Sequence, residues 1–130
     1  MASPDPVEWK IEYYSAPNGE VPFRAWMSGL KDAAGRARID ARIARLRRFG
    51  QAGNCKAVGG GVIEMRVDAG PGYRIYFGKE AGDIVLLLRG GDKSTQSRDI
   101  ATAQSYLRAF KRAAKKEQAG DAKARGQELH

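Results

Sequence analysis

The chain is 130 residues long and carries 23 Lys+Arg against 15 Asp+Glu, a formal net charge of +8 with a pI near 9.9. That length fits one domain with one hydrophobic core. No run approaches the 18 apolar residues of a membrane helix. One cysteine, Cys55, excludes an internal disulfide, and a single histidine, His130, leaves too few ligands for a zinc site. Neither a metal nor a cofactor is expected. The same scarcity argues against a Cys–His nucleophile. The first residues have no basic start and no apolar stretch behind it, so no secretory signal is expected, and a reducing cytoplasm is the natural compartment. A domain this basic suits a polyanion or an acidic protein partner. A soluble protein with many surface arginines would show the same charge.

Residues 1–7 hold two prolines and read as a loose arm. Trp9, Ile11 and Tyr13 alternate with Glu8, Lys10 and Glu12, which predicts a strand over 8–14. The Pro17-Asn18-Gly19 turn follows, and Pro22 suits the first turn of a helix. Phe23, Trp26, Met27 and Leu30 then recur at helical spacing. Asp32 is placed to cap a second helix running to about Phe49, with Ile39, Ile43 and Leu46 as its core stripe and Gly50 and Gly53 closing it.

Beyond Gly53 the period changes to two. Residues 55–58 suit a short strand, and Gly59 to Gly61 a flexible entry to the next. Ile63, Met65 and Val67 alternate with Glu64, Arg66 and Asp68. The Ala69-Gly70-Pro71-Gly72 turn leads to a strand over Tyr73–Phe77. Gly78 to Gly82 leads to Ile84–Leu88, and Gly90-Gly91 ends that strand. Short loops make this an antiparallel meander. Ser94 or Thr95 caps a last helix whose apolar face is Ile100, Ala103, Leu107, Phe110 and Ala114. The chain thus divides into an arm over 1–7, one domain over 8–117 and a disordered polar tail over 118–130. The fold class is α+β, with two N-terminal helices on one face of a four- to five-stranded antiparallel sheet and a C-terminal helix.

Strand parity places the candidate chemistry. If Tyr73, Ile75 and Phe77 join Met65 and Val67 in the core, then Arg74 and Tyr76 share the opposite face with Glu64 and Arg66. Arg89 and Lys93 leave the third strand nearby, and Lys56 lies on the short strand before it. A guanidinium matches a phosphate bidentately and stabilises charge building on it. Tyr76 could stack on a base. On the second helix Arg38, Arg42 and Arg45 form a stripe able to grip nucleic-acid phosphates, with salt-sensitive affinity. The alternatives are a solvated sheet face, with Arg66 paired to Glu64 or Asp68, and a solvated helix face whose arginine stems cover the core edge.

Several segments are familiar as a set: Glu64-x-Arg66, "GPGYR" at Gly70 to Arg74, "LLLRGGDKSTQ" at Leu86 to Gln96, and Asp99-Ile100, with weaker likeness back through "FRAWMSGL" to about Trp9. Together they resemble the RelE/ParE toxin superfamily, nearest its HigB-like, phage Gp49-related addiction-module branch. The resemblance implies a compact toxin fold and the toxin role in a type II toxin–antitoxin system. It implies metal-independent cleavage of mRNA in the ribosomal A site, leaving a cyclic phosphate and a 5′-hydroxyl and halting translation. The partners it implies are a helix-turn-helix antitoxin, mRNA and the ribosome. Operator DNA would be met only through the antitoxin complex, and no membrane is involved. By position Arg74 matches the arginine on the scissile phosphate, and Lys93 lies near the basic residue that opens the last helix. The chain departs from the pattern where RelE carries two lysines, here Val62 and Glu64. It also lacks the histidines of HigB-type enzymes, and the early tyrosine of the last helix falls near Asp99. Glu64 or Asp99 is then the candidate general base. The departures also leave two other readings: a ParE-like gyrase inhibitor without a catalytic site, and a non-toxic antitoxin-binding module.

Overall fold

The computed structural model describes residues 8–50 and 53–128, with side chains through residue 117. The predicted arm over 1–7 lies outside the described residues. The elements are β1 (Lys10–Tyr13), α1 (Pro22–Gly29), α2 (Ala33–Phe49), β2 (Cys55–Ala57), β3 (Val62–Val67), β4 (Tyr73–Glu80), β5 (Ile84–Asp92), a 3-10 turn (Lys93–Thr95) and α3 (Gln96–Glu128). They form one five-stranded sheet in the order β1-β5-β4-β3-β2. The meander is antiparallel as expected. The sheet as a whole is mixed, because β1 pairs parallel with β5, Lys10 opposite Ile84 through Tyr13 opposite Leu87. Two helices separate β1 from the meander, so no hairpin turn dictates its direction.

The sheet separates two apolar clusters. On one face Met65, Val67, Tyr73, Ile75, Phe77, Val85 and Leu87 pack with Phe23 of α1 and Ile39, Ile43 and Leu46 of α2. On the other Val62, Tyr76, Leu86 and Leu88 pack with Ala103 and Leu107 of α3 and with Tyr14. The second face thus carries α3 over its centre.

Local chemistry fixes the helix ends. Asp32 caps α2 by accepting from the Gly35 amide at 2.9 Å, and Gly50 closes it in the left-handed conformation at φ 71°. The last helix is entered differently from the expectation: a 3-10 turn leads into it, and Asp92 caps that turn, forming a reciprocal box with Thr95. The helix runs to Glu128. Alanine, glutamine, lysine and arginine, which recur there, all have high helix propensity.

The last two strands are longer than their glycines suggested. Gly78, Gly90 and Gly91 lie inside β4 and β5 rather than ending them. Each marks a close approach instead of a turn. A Cβ at Gly78 would meet the Leu107 side chain at 3.1 Å, and one at Gly90 would meet the Trp26 ring at 2.1 Å.

Candidate functional site

The ladder register builds the site in two rows on the α3 face. In the first, Lys56 of β2 is opposite Glu64 of β3, Glu64 is opposite Tyr76 of β4, and Tyr76 is opposite Arg89 of β5. In the second, Arg66 is opposite Arg74 and Arg74 is opposite Gly91. A rung further, the Lys93 amide donates to the Gly72 carbonyl at 3.0 Å. Lys93 therefore continues the row geometry beside Arg74. A Cβ at Gly72 would sit 3.7 Å from Arg74 Nη1 and 3.8 Å from Lys93 Cβ.

A β-bulge aims Arg89. The register shifts between Tyr76 and Phe77, which pair with Arg89 and Leu87 and leave Leu88 without a partner. Leu88 and Arg89 consequently both turn toward α3. Without the bulge, strict alternation would send Arg89 to the face of α1 and α2.

Behind these cations lie two fully buried carboxylates, Glu64 and Asp99. Glu64 Oε2 accepts from the Tyr76 hydroxyl at 3.1 Å and from Gln96 Nε2 at 2.9 Å. Its Oε1 faces Arg74 Nε at 3.8 Å and Lys56 Nζ at 3.9 Å, with a hydrogen bond to neither. Asp99 accepts from Arg89 Nε at 2.7 Å and from the Thr95 hydroxyl. A buried charge survives only when paired, and here each carboxylate anchors basic side chains of the sheet.

This arrangement corrects three expectations. Tyr76 is fully buried in the second core, so its ring does not offer a stacking surface. Its phenol is pushed well above the ordinary value, first by burial and then by the Glu64 charge. Glu64 and Asp99 are also sealed from solvent, so as placed neither carboxylate meets a 2′-hydroxyl. They hold the cations instead. Gln96, which ties α3 to Glu64, was missed by sequence reasoning. No residue pattern marks a single glutamine reaching 32 positions back.

The basic residues differ in exposure. Arg74 is 8% exposed, whereas Arg66, Lys56 and Lys93 are exposed. No ion pair joins Arg66 to Glu64 or Asp68 among the described residues, so the guanidinium is not neutralised in the way the solvated-face alternative supposed. Like charges directly opposite on a ladder repel, and an anion bound between them relieves the repulsion. A cavity of about 300 Å³ lined by Asn54, Cys55, Lys56 and Arg66 flanks one end of this row. Another of about 330 Å³, lined by residues 93–98 at the start of α3, flanks the other.

The α2 stripe lies elsewhere. Arg38 donates to the Asp68 carbonyl at 2.7 Å and Arg42 to the Arg66 carbonyl at 3.1 Å. These contacts fasten α2 to the edge of β3 beyond the reach of β2 and occupy its open carbonyls. Arg45 shares that shallow surface with them, on the α2 side of the sheet and not on the Arg74 side. Among the described residues no group of three His, Cys, Asp or Glu comes together to hold a metal. No described helix is long and apolar enough to cross a membrane.

Fold and site together define a small basic α+β protein with a cationic sheet face beside the start of its last helix. The family model of phage-derived Gp49-like proteins matches residues 25–118, and the chain belongs to that family, which is related to the RelE-like toxins. Its members are often the toxins of toxin–antitoxin modules, so the family implies an antitoxin partner. The chain is also 49% identical over 82 residues to an uncharacterized protein of Haemophilus influenzae, covering 63% of this chain and 82% of that relative.

Proposed function

We propose that this chain is the toxin of a type II toxin–antitoxin pair in the cytoplasm, a metal-independent mRNA endoribonuclease acting on the ribosome and countered by a helix-turn-helix antitoxin. A single observation carries the reading: two arginines from neighbouring strands, Arg66 and Arg74, stand directly opposite each other on the same sheet face, with Lys93 one rung on and Lys56 one row back. Rigid strands bring two forked donors to one face, the pairing that a phosphate held by both would need.

The chemistry such a site supports is transesterification. The 2′-oxygen attacks phosphorus and the bond to the 5′-oxygen breaks, giving a cyclic phosphate and a free 5′-hydroxyl. Arg66 and Arg74 stabilise the negative charge that grows on the non-bridging oxygens. Lys93, exposed beside Arg74, gives a proton to the leaving oxygen, and solvent takes the proton of the 2′-hydroxyl. Glu64 and Asp99 act as positioning residues through Arg74, Lys56 and Arg89. With its two carboxylates buried, the site accelerates the reaction by orientation and electrostatics rather than by a strong internal base.

The test is a reconstituted translation mixture of ribosomes and a defined mRNA, with 5′ ends mapped after the protein is added. New 5′-hydroxyl ends inside codons are expected. Intact mRNA sinks the nuclease reading. The burial of both base candidates favours a second reading, a ParE-like inhibitor of DNA gyrase without a catalytic site. Intact mRNA together with gyrase-linked DNA breaks on expression would select it. Harmless expression with tight antitoxin binding would leave an antitoxin-binding module.

A further inference from the structure

The outer face of α3 is a cationic track that the site above does not use. Arg98, Arg108, Lys111, Arg112, Lys115 and Lys116 are all exposed. At about 3.6 residues per turn they fall within roughly 140° of the helix circumference, to one side of the apolar stripe that Ala103 and Leu107 bury against the sheet. From Arg98 to Lys116 the helix contains one acidic residue, Asp99, and that residue is fully buried on Arg89. None of the six cations has an ion pair among the described residues. The track begins at the cavity lined by Lys93 and Arg98 and extends about 27 Å along the axis at roughly 1.5 Å per residue.

We infer that this face of α3 binds the phosphate backbone of single-stranded RNA without regard to sequence, carrying the strand toward or away from the Arg66–Arg74 row. Two features favour a nucleic acid over an acidic protein. The face holds no large apolar side chain, since Ala101, Gln104 and Ser105 are what lie between the cations, whereas the centre of a protein interface is apolar and poor in lysine. Five cations within nine residues, Arg108 to Lys116, with Arg98 about 15 Å nearer the cavity at roughly 1.5 Å per residue, also match the closely spaced charges of a backbone rather than a folded surface. The absence of aromatic residues from the track removes base stacking and with it base preference. As a site for RNA the track rests on the reading above, but binding there does not require cleavage.

The test is fluorescence anisotropy with the full chain, a labelled 20-nucleotide single-stranded RNA of mixed sequence, and a salt series. The variant R108Q/K111Q/R112Q/K115Q removes four charges from the track. A control, K10Q/K31Q/R47Q/R48Q, removes four exposed charges from other parts of the surface. The track variant is expected to bind roughly tenfold or more weakly and to flatten the slope of log K against log salt by about 3, at roughly 0.7 per lost contact. The control should change that slope by less than about 1. Circular dichroism of both should match the parent. Equal losses in the two variants, or an unchanged slope in the track variant, overturns the inference. Displacement of the RNA by poly-L-glutamate at equal charge concentration also overturns it, in favour of an acidic protein partner. Arg74→Ala should retain the parent slope within about 1 while losing cleavage, so failure of the nuclease reading and failure of the track give different results.

Discussion

A Cβ placed on Gly91 would lie 1.9 Å from Oδ2 of Asp99 and 2.8 Å from its Cγ. Gly91 is opposite Arg74 in the ladder, so the missing side chain is what lets a carboxylate of α3 press against the sheet beside the cationic row. Asp99 uses that space to hold Arg89.

The consequence is that Gly91→Ala must push α3 away from β5 or break the Asp99–Arg89 pair. Overpacking of this kind costs about 1–3 kcal/mol. Thermal unfolding of the variant should therefore shift down by several degrees, and toxicity on expression should fall with it. An unchanged melting temperature would mean that Asp99 is not held against this strand.

Arg74 should be indispensable and not replaceable by lysine. Losing one preorganised donor to a developing oxyanion lowers a rate by roughly 10²–10³-fold. Lysine offers a point charge and not a planar fork, so Arg74→Lys should recover little. Growth arrest on induction, read beside the circular dichroism of each purified variant, separates lost chemistry from lost folding.

Alkaline stability should report Tyr76. Its folded-state pKa is raised by burial and by Glu64, so the phenol resists ionisation after the unfolded chain has begun to ionise near 10.0. The stabilisation is therefore fully present below that value and is lost as pH rises through and above it. Tyr76→Phe deletes the 3.1 Å bond to Glu64 and should cost about 1 kcal/mol at neutral pH. The same variant should show a shallower loss of stability above pH 10, Tyr73 supplying what remains. Denaturant midpoints measured from pH 8 to 11 check both parts.

Acid stability should report Asp32. The Gly35 amide, then the Tyr73 hydroxyl at 2.9 Å, holds this carboxyl below its ordinary value of 3.8. A depressed pKa gives stability that is present above 3.8 and lost as pH falls through the folded value. Asp32→Ala should lower the melting temperature at neutral pH and flatten its decline below pH 4. A melting temperature that falls in acid as steeply as the parent's would assign the acid sensitivity to other carboxyls.

Much of this fold was legible because period and punctuation agreed. The alternation of Met65 and Val67 with Glu64 and Arg66, read across the Gly70–Gly72 turn, placed Arg74 on the face where it stands. Asp32 and Gly50 marked the ends of α2 through cap chemistry that is local in sequence. What escaped is non-local. Gly78, Gly90 and Gly91 read in sequence as turn signals, and only the packing of Leu107, Trp26 and Asp99 shows them as contact points. The bulge at Leu88 leaves no mark in a run of three leucines, yet it decides which way Arg89 faces. Burial of Glu64 and Tyr76 depends on α3 lying over them, and parity alone says which face they share but not what covers it.

The central claim is that Arg66 and Arg74 together hold one RNA phosphate for cleavage. Mapping of 5′ ends in a reconstituted translation reaction, run with the parent chain, Arg66→Ala and Arg74→Ala, tests it most directly. New 5′-hydroxyl ends with the parent, and their disappearance in both folded variants, are the predicted result. Ends that persist at parental yield in either variant, or never form with the parent, would contradict it.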